Sequence, residues 1–163
     1  MTEASAETAR RDRVFLVVVD DSPERAVALR YAALRAAKSG GRVALLRVIE
    51  PVEQSEWAGI GAMMAEERRE EAEAMLSGLA AQVRDITGGL PILVTREGHV
   101  AEELLALLEE DPRISILVLA TAANAKGPGP LVTALTGKLA GRMTVPMTIV
   151  PGGMSDAELD RVT

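Results

Sequence analysis

The chain has 163 residues, of which 48% are hydrophobic, which is enough for one packed core but too short for two ordinary domains. Its formal net charge of -6 and its 2% aromatic content disfavour nucleic acid as a direct partner, because phosphates attract basic surfaces and bases stack on aromatic rings. The absence of cysteine excludes disulfides, thiolate catalysis and cysteine-ligated metals, and it fits a cytoplasmic location.

The amino-terminal segment, residues 1–13, is polar and lacks the apolar core of a signal peptide. The longest apolar stretch, Ile114 to Ala123, is interrupted by Ser115 and Thr121 and is too short to cross a bilayer. We therefore expect a flexible leader over residues 1–13, no export and no membrane partner.

The first regular element after the leader is Val14 to Val19, a continuous apolar run that is typical of a parallel strand covered on both faces. Asp20 and Asp21 end it. Ser22 then predicts a helix N-cap, with Pro23 in the first helical position, where its missing N–H costs nothing.

The rest of the chain alternates strands and helices. The segment from Glu50 to Gly61 is predicted to be a loop of about ten residues, a length that often carries function. The helix after it has one apolar stripe, which we interpret as sheet-packing; the stripe is short for the alternative, a coiled coil. The predicted elements after the first strand are helix 23–39, strand 43–49, helix 62–87, strand 91–95, helix 100–108, strand 114–119, helix 131–143 and strand 145–150.

Five strands joined by four helical connections predict an α/β domain with one parallel sheet and helices on both faces. Ligands of such sheets bind beyond the carboxyl ends of the strands, where the winding direction reverses. Pro146 places the last strand at a sheet edge or at the start of pairing, because proline donates no ladder hydrogen bond. In the tail, residues 152–163, Ser155 and Glu158 are spaced as a capping box for one short helix, with disorder as the alternative.

Asp20 and Asp21 are the most distinctive candidate site, since adjacent carboxylates at a strand end can hold Mg²⁺. The same pattern occurs in phosphorylated receiver domains, but this chain has Thr95 where a receiver has its phosphate acceptor and Val150 where it has a lysine. The simpler interpretation is that both aspartates cap a helix and solvate a turn, and we predict no metal site.

The segment Gly127-Pro128-Gly129-Pro130 precedes a helix and is a candidate phosphate loop, since glycine lets backbone approach an anion. Its two prolines remove N–H donors, so a stiff surface loop is the alternative. His99, the single histidine, has no marked partner and is predicted to be a surface residue. The charged run from Glu66 to Glu71 is predicted to be a solvated helix face.

The order and spacing of several segments together give the chain a family resemblance. These segments are Val17 to Ser22, Ala28 to Ala32, Gly41 to Val48, Arg96 to Gly98, and Val145 to Val150. The chain resembles the universal stress protein family over residues 14–151. The resemblance implies a Rossmann-like domain with strand order 3-2-1-4-5, a homodimer formed through the last strand, and a stress-response role without established catalysis or a required cofactor.

One branch of this family binds ATP through an aspartate after the first strand, backbone at the end of the second, and a loop of the form G-x2-G-x9-G-[ST]. Asp20 and Val48 match the first two elements, although Asp21 stands where the family usually has a small residue. The loop does not match. One alignment places Ala120, Ala123, Thr133 and Ala134 on its four defined positions; the other uses Gly127 and Gly137 but brings in Asn124 and Lys138.

The resemblance therefore favours a dimeric binding or regulatory module that does not hold ATP by the usual loop. The alternative is an adenine nucleotide sensor, with adenine near Asp20 and Val48 and phosphates over the loop. An enzyme is not expected, because no acid, base and nucleophile converge. The candidate residues of the nucleotide crevice are Asp20, Asp21, Val48, Gly98, Gly127, Gly129 and Thr133.

Overall fold

The computed structural model of the chain describes residue 3 and residues 13–51, 58–123 and 127–163. Within these ranges the strands are β1 (Val14–Val18), β2 (Arg42–Ile49), β3 (Ile92–Glu97), β4 (Ile114–Ala120) and β5 (Met147–Val150). The helices are α1 (Arg25–Ser39), α2 (Ala58–Thr87), α3 (Val100–Glu110), α4 (Pro130–Thr136) and α5 (Asp156–Val162), with a short 3₁₀ helix at Ala140–Arg142.

All five strands form one sheet in the order β3-β2-β1-β4-β5, and every neighbouring pair is parallel. The predicted fold class and strand order are confirmed. β1 lies at the centre of the sheet, which explains why its sequence is apolar without alternation: both of its faces are covered. The edge position predicted for the last strand from Pro146 is also confirmed, since β5 begins at Met147 and pairs only with β4 among the described strands.

Alternate side chains of each strand point to opposite faces of the sheet, and each face has its own core. On one face Val17, Val19 and Leu45 pack against α1 and α2. On the other face Leu16 and Leu46 pack against α3 and α4. The prediction of helices on both faces is therefore confirmed, and the carboxyl ends of the strands lie between two walls of helices.

The start of α1 differs from the prediction. The helix begins at Arg25, and its N-cap residue, Glu24, makes no side-chain capping bond. Ser22 does not act as the N-cap because its hydroxyl donates to Asp20 Oδ1 instead, at 2.5 Å. The two residues therefore form a local turn that precedes the helix.

Other element boundaries also differ from the predicted ones. α2 begins at Ala58, so the predicted loop after Glu50 is shorter, and its residues 52–57 lie outside the described residues, as does most of the predicted leader. β3 extends through Glu97. α4 ends at Thr136 and does not reach Met143, because Gly137 adopts φ -106 and ψ -113, which breaks the helix before the 3₁₀ turn.

The carboxyl-terminal residues form α5, which packs on α1 and buries Leu159 in the core on the α1 side of the sheet. Ser155 caps this helix as predicted, since its Oγ accepts a hydrogen bond from the Glu158 amide at 3.2 Å, which is one of the two bonds of a capping box. Arg30 of α1 also pairs with Asp160 at 2.7 Å. Within the described ranges, none of the helices has the length and apolar character that crossing a membrane requires.

Candidate functional site

A crevice of about 700 Å³ lies at the carboxyl ends of β1 and β2. Its floor comes from the ends of these strands, one wall from α2, and the other from the first turns of α3 and α4. A parallel sheet is expected to bind its ligands at this edge, and the volume suits a nucleoside-sized molecule.

Asp20 lies at the floor of the crevice and organises the turn after β1. Its Oδ1 accepts hydrogen bonds from the amide of Ser22 at 2.9 Å and from the Ser22 hydroxyl at 2.5 Å. Its main-chain carbonyl accepts a bond from Arg25 Nη1 at 2.9 Å. Part of the capacity of this carboxylate to accept hydrogen bonds is therefore used within the turn.

Arg47 enters the crevice from β2 and meets Asp21. Its Nη2 donates to both carboxylate oxygens of Asp21, at 3.2 and 3.3 Å, and its Nη1 donates to the carbonyl of Val19 at 3.2 Å. The Arg47 side chain is 20% exposed, whereas that of Asp21 is 78% exposed. The Nε of Arg47 is buried and has no hydrogen-bond partner among the described residues.

Arg47 is not among the candidate site residues that the sequence analysis named. A signal was present, since an arginine inside an otherwise apolar parallel strand must find a polar partner at the strand end.

The wall formed by α3 and α4 is mainly apolar. Val48, which is 7% exposed, points to this side of the sheet, and the wall continues through Val100 and Ala101 of α3 and through Leu131 and Ala134 of α4. His99 stands at the rim of this wall and is exposed, as predicted for a surface residue.

The opposite wall, from α2, combines the charged Arg68 and Glu71 with the apolar Ala72 and Met75. The predicted solvated run on this helix is exposed, but two of its residues, Arg68 and Glu71, also line the crevice. Arg68 Nη1 donates to the carbonyl of Glu50 at 3.1 Å and so links α2 to the end of β2. The crevice therefore has one mainly apolar side and one side on which charged and apolar residues are mixed.

The remaining candidate residues do not line this crevice. Gly129 lines a smaller adjoining cavity of about 140 Å³, which shares Asp20 with the crevice. Gly127 and Gly129 have φ of 125 and 104, conformations that favour glycine. Thr133 Oγ1 donates back to the carbonyl of Gly129 at 2.7 Å, so its hydrogen is used inside α4.

Gly98 lies just before α3, with φ 145 and its amide donating to the carbonyl of Ile49 at 3.0 Å. A Cβ there would come 2.7 Å from Glu103 Oε1, the end of a flexible side chain that can move, so it is the backbone conformation that favours glycine. Its role is to connect the ends of β2 and β3 beneath the crevice.

Glu24 is a residue of the site region that the sequence analysis missed. It is 8% exposed, and its Oε1 accepts a hydrogen bond from the amide of Ala123 at 3.0 Å, which ties the start of α1 to the loop after β4. The Ala123 amide, together with the amide of Glu24 itself and the Ser22 side chain, lowers the pKa of this carboxyl below its ordinary value, against the opposing effect of burial.

Metal ligands do not cluster in the parts of the chain that the structure describes: no three side chains of histidine, aspartate or glutamate form a group that could hold an ion. Asp20 is engaged by Ser22, and Asp21 by Arg47. The arrangement offers hydrogen-bonding and apolar contacts to a ligand, without a clustered set of catalytic groups among the described residues.

Comparison with known proteins identifies the family. The model of the universal stress protein family matches residues 13–151. The chain belongs to that family. No curated protein matches this sequence closely enough to count as a relative.

Solved universal stress proteins share the fold. UspA from Lactobacillus plantarum is 17% identical with a TM-score of 0.68, covering 86% of this chain and 98% of its own. A universal stress protein in complex with cAMP is 17% identical with a TM-score of 0.54, covering 86% and 98%. One from Archaeoglobus fulgidus in complex with dAMP is 18% identical with a TM-score of 0.54, covering 85% and 97%. These neighbours match nearly their whole length, so the likeness covers the complete domain.

Proposed function

We propose that this universal stress protein is a binding module of the stress response without turnover, and that its crevice holds an adenine nucleotide with a short phosphate group. The observation that carries the proposal is the crevice itself: about 700 Å³ at the ligand-binding edge of the sheet, with an apolar wall beside Val48 and polar groups around Asp20. Neighbours of the same fold are bound to cAMP and dAMP.

A triphosphate is disfavoured by the loop after β4. Neither alignment of the loop supplies the full set of glycines that expose bare backbone amides to phosphate. Asn124, which one alignment uses, lies outside the described residues. Near this loop, Pro128 and Pro130 have no N–H to offer, and the hydroxyl of Thr133 is bonded to Gly129. Of the predicted nucleotide contacts, the proposal keeps Asp20, Asp21 and Val48, which line the crevice. Those that do not line it are Gly98, Gly127, Gly129 and Thr133.

We also propose that the protein is a cytoplasmic homodimer, with residues 14–151 as the family domain. β5 is an open edge of the sheet, and Ile149 on it is 37% exposed. An apolar edge strand is a ready template for pairing with a second copy, which supports the last strand as the dimer contact.

The test of binding is thermal unfolding with adenosine, AMP and ATP, each with and without Mg²⁺. A ligand at a hundred times its dissociation constant adds about 2.7 kcal/mol of stability. We expect adenosine and AMP to raise the unfolding temperature more than ATP does. Failure of all three at millimolar concentration would refute nucleotide binding, and release of phosphate from ATP would refute the absence of turnover.

A further inference from the structure

We propose that Arg47 is the residue of the crevice that binds the phosphate group of the ligand, and that this phosphate takes the place of Asp21 as the partner of Arg47. This inference rests on the proposed function, because it assigns a role within the same crevice. It places the phosphate on the α2 side of the sheet, away from the loop between β4 and α4.

The first support is the exposure of the two partners. Asp21 is 78% exposed and can turn into water at little cost, whereas the Arg47 side chain is only 20% exposed and is held by the Val19 carbonyl. An ion pair with one partner in solvent is weak. Arg47 can therefore release Asp21 while its guanidinium stays in the crevice.

The second support is the unused donor on Arg47. Its Nε is buried without a hydrogen-bond partner among the described residues. A guanidinium offers donors in a planar fork that matches two oxygens of a phosphate, and a buried donor that gains a partner is stabilised. The Asp21 carboxylate, in its present position, accepts no hydrogen bond from Nε. A phosphate beside Arg47 would bring further acceptor oxygens to this donor.

The third support is the polarity of the two walls. Arg68 of α2 lines the crevice on the side to which Arg47 points, while Val100, Leu131 and Ala134 form the apolar side. A ligand with a flat apolar base and one anionic group matches this division when the base lies against α3 and α4 and the anion lies toward α2.

The charge of the lining limits how much negative charge the ligand can carry. The ionised side chains among the described lining residues are four carboxylates and two guanidinium groups, from Asp20, Asp21, Glu50, Glu71, Arg47 and Arg68. Like charges repel, so the surplus of carboxylates disfavours a ligand that carries several negative charges. A singly charged phosphate diester fits better than a triphosphate, so the chemistry selects a ligand with one negative charge.

The experiment is isothermal titration of the full chain with adenosine, cAMP and ATP. We expect cAMP to bind more tightly than adenosine, and ATP to bind less tightly than cAMP. Arg47→Gln should weaken cAMP by about tenfold and leave adenosine unchanged, because a charged hydrogen bond is lost. Asp21→Asn should tighten cAMP by about twofold to fivefold, because the competing carboxylate is gone.

Matched variants separate this role from a structural one. Asp156→Asn removes an exposed carboxylate that pairs with Arg30 outside the crevice, and it should change neither affinity. Arg47→Lys keeps the charge without the fork and should give an intermediate cAMP affinity. Thermal unfolding of each variant reports folding; if Arg47→Gln does not fold, the exposed Asp21→Asn still decides the question.

The outcomes are distinct. Adenosine binding with no preference for cAMP, or a preference that neither variant changes, would overturn the role of Arg47 and leave the binding function intact. Equal loss of both ligands in Arg47→Gln would make Arg47 a structural residue. If the wild type binds neither adenosine nor cAMP, the proposed function fails and this inference fails with it.

Discussion

At the scale of single residues, Glu24 carries a structural charge that joins two distant parts of the chain. Its carboxylate accepts a hydrogen bond from the amide of Ala123, which is 99 residues away in the sequence. Glu24 is 8% exposed. A hydrogen bond to a charged acceptor is stronger than one between neutral groups, so ionised Glu24 stabilises the loop that follows β4. That loop leads to α4, which forms part of the apolar wall.

The pH dependence of this contact has a definite sign. The folded pKa of Glu24 is lowered from 4.5, so its contribution is fully present above about pH 4.5 and is lost as the pH falls through the folded value. Glu24→Gln should therefore destabilise the protein at pH 7, with the difference from wild type shrinking in acid. Urea unfolding between pH 3 and pH 7 measures this.

The exposed α2 side chain of Glu67 provides the control for Glu24. Glu67→Gln makes the same chemical change on a solvated helix face and should leave stability nearly unchanged across the range. Other carboxyls also lose stability in acid, since Arg96 lowers the pKa of Glu110 and Arg113 lowers that of Asp111. The comparison of variants removes this shared trend, and a constant difference from pH 3 to pH 7 would contradict the role of Glu24.

Gly152 gives a second test at this scale. A Cβ at Gly152 would lie 1.9 Å from the Thr121 carbonyl oxygen and 2.7 Å from Glu24 Cγ, while one at the adjacent Gly153 would meet no atom within 4 Å. Gly152→Ala should cost about 1–3 kcal/mol of unfolding free energy through overpacking. Gly153→Ala should be close to neutral, and equal effects in chemical denaturation would refute the packing argument.

At the scale of elements, the order of strands and helices could be predicted from the sequence because the signals are local. β1 and β4 are apolar runs covered on both faces, and α2 carries an apolar stripe that includes the buried Ala72, Leu76 and Val83. Such patterns need no knowledge of the rest of the chain.

Features set by distant contacts could not be predicted in this way. One local feature was missed as well: Ser22 was expected to cap α1, yet its hydroxyl donates to Asp20, two residues earlier, in the turn after β1. Arg47 finds Asp21 only when β1 and β2 pair, across 26 residues. Of the predicted site residues, Asp20, Asp21 and Val48 line the crevice, whereas its arginines, Arg47 and Arg68, were left out of the prediction.

The carboxyl-terminal helix α5 is an element whose contribution can be measured. Leu159 is 1% exposed and packs into the core with α1, while Val162 on the same helix is 50% exposed. Leu159→Ala should lower the unfolding free energy by about 2–5 kcal/mol, whereas Val162→Ala should change it by less than about 1 kcal/mol. If both substitutions changed the unfolding free energy by the same small amount, residues 152–163 would not contribute to the core.

At the scale of the whole molecule, the two sheet edges differ in what they expose. β5 presents Ile149 on a four-residue strand, and β3 at the other edge carries Arg96 and Glu97. β3 also exposes Leu93, but charged residues discourage pairing at an edge, and we therefore propose β5 as the edge that pairs with a second copy. Native mass spectrometry should report twice the 17.2 kDa chain mass for the wild type and the single mass for Ile149→Lys.

The exposed Leu93 on the opposite edge supplies the control for this assembly. Leu93→Lys places the same charge on β3 and should leave the dimer intact. A monomeric wild type, or a dimer broken by Leu93→Lys and not by Ile149→Lys, would contradict pairing through β5.

The central claim is that the carboxyl edge of the sheet, between α2 and the first turns of α3 and α4, binds a nucleoside-sized ligand. Titration of isotopically labelled protein with AMP, followed by amide chemical shifts, tests it residue by residue. Binding there predicts shifts concentrated at Asp20, Val48, His99 and Ala134, with Gly88 and Arg113 at the opposite end of the sheet unmoved. Shifts centred on that opposite end, or none at millimolar AMP, would contradict it.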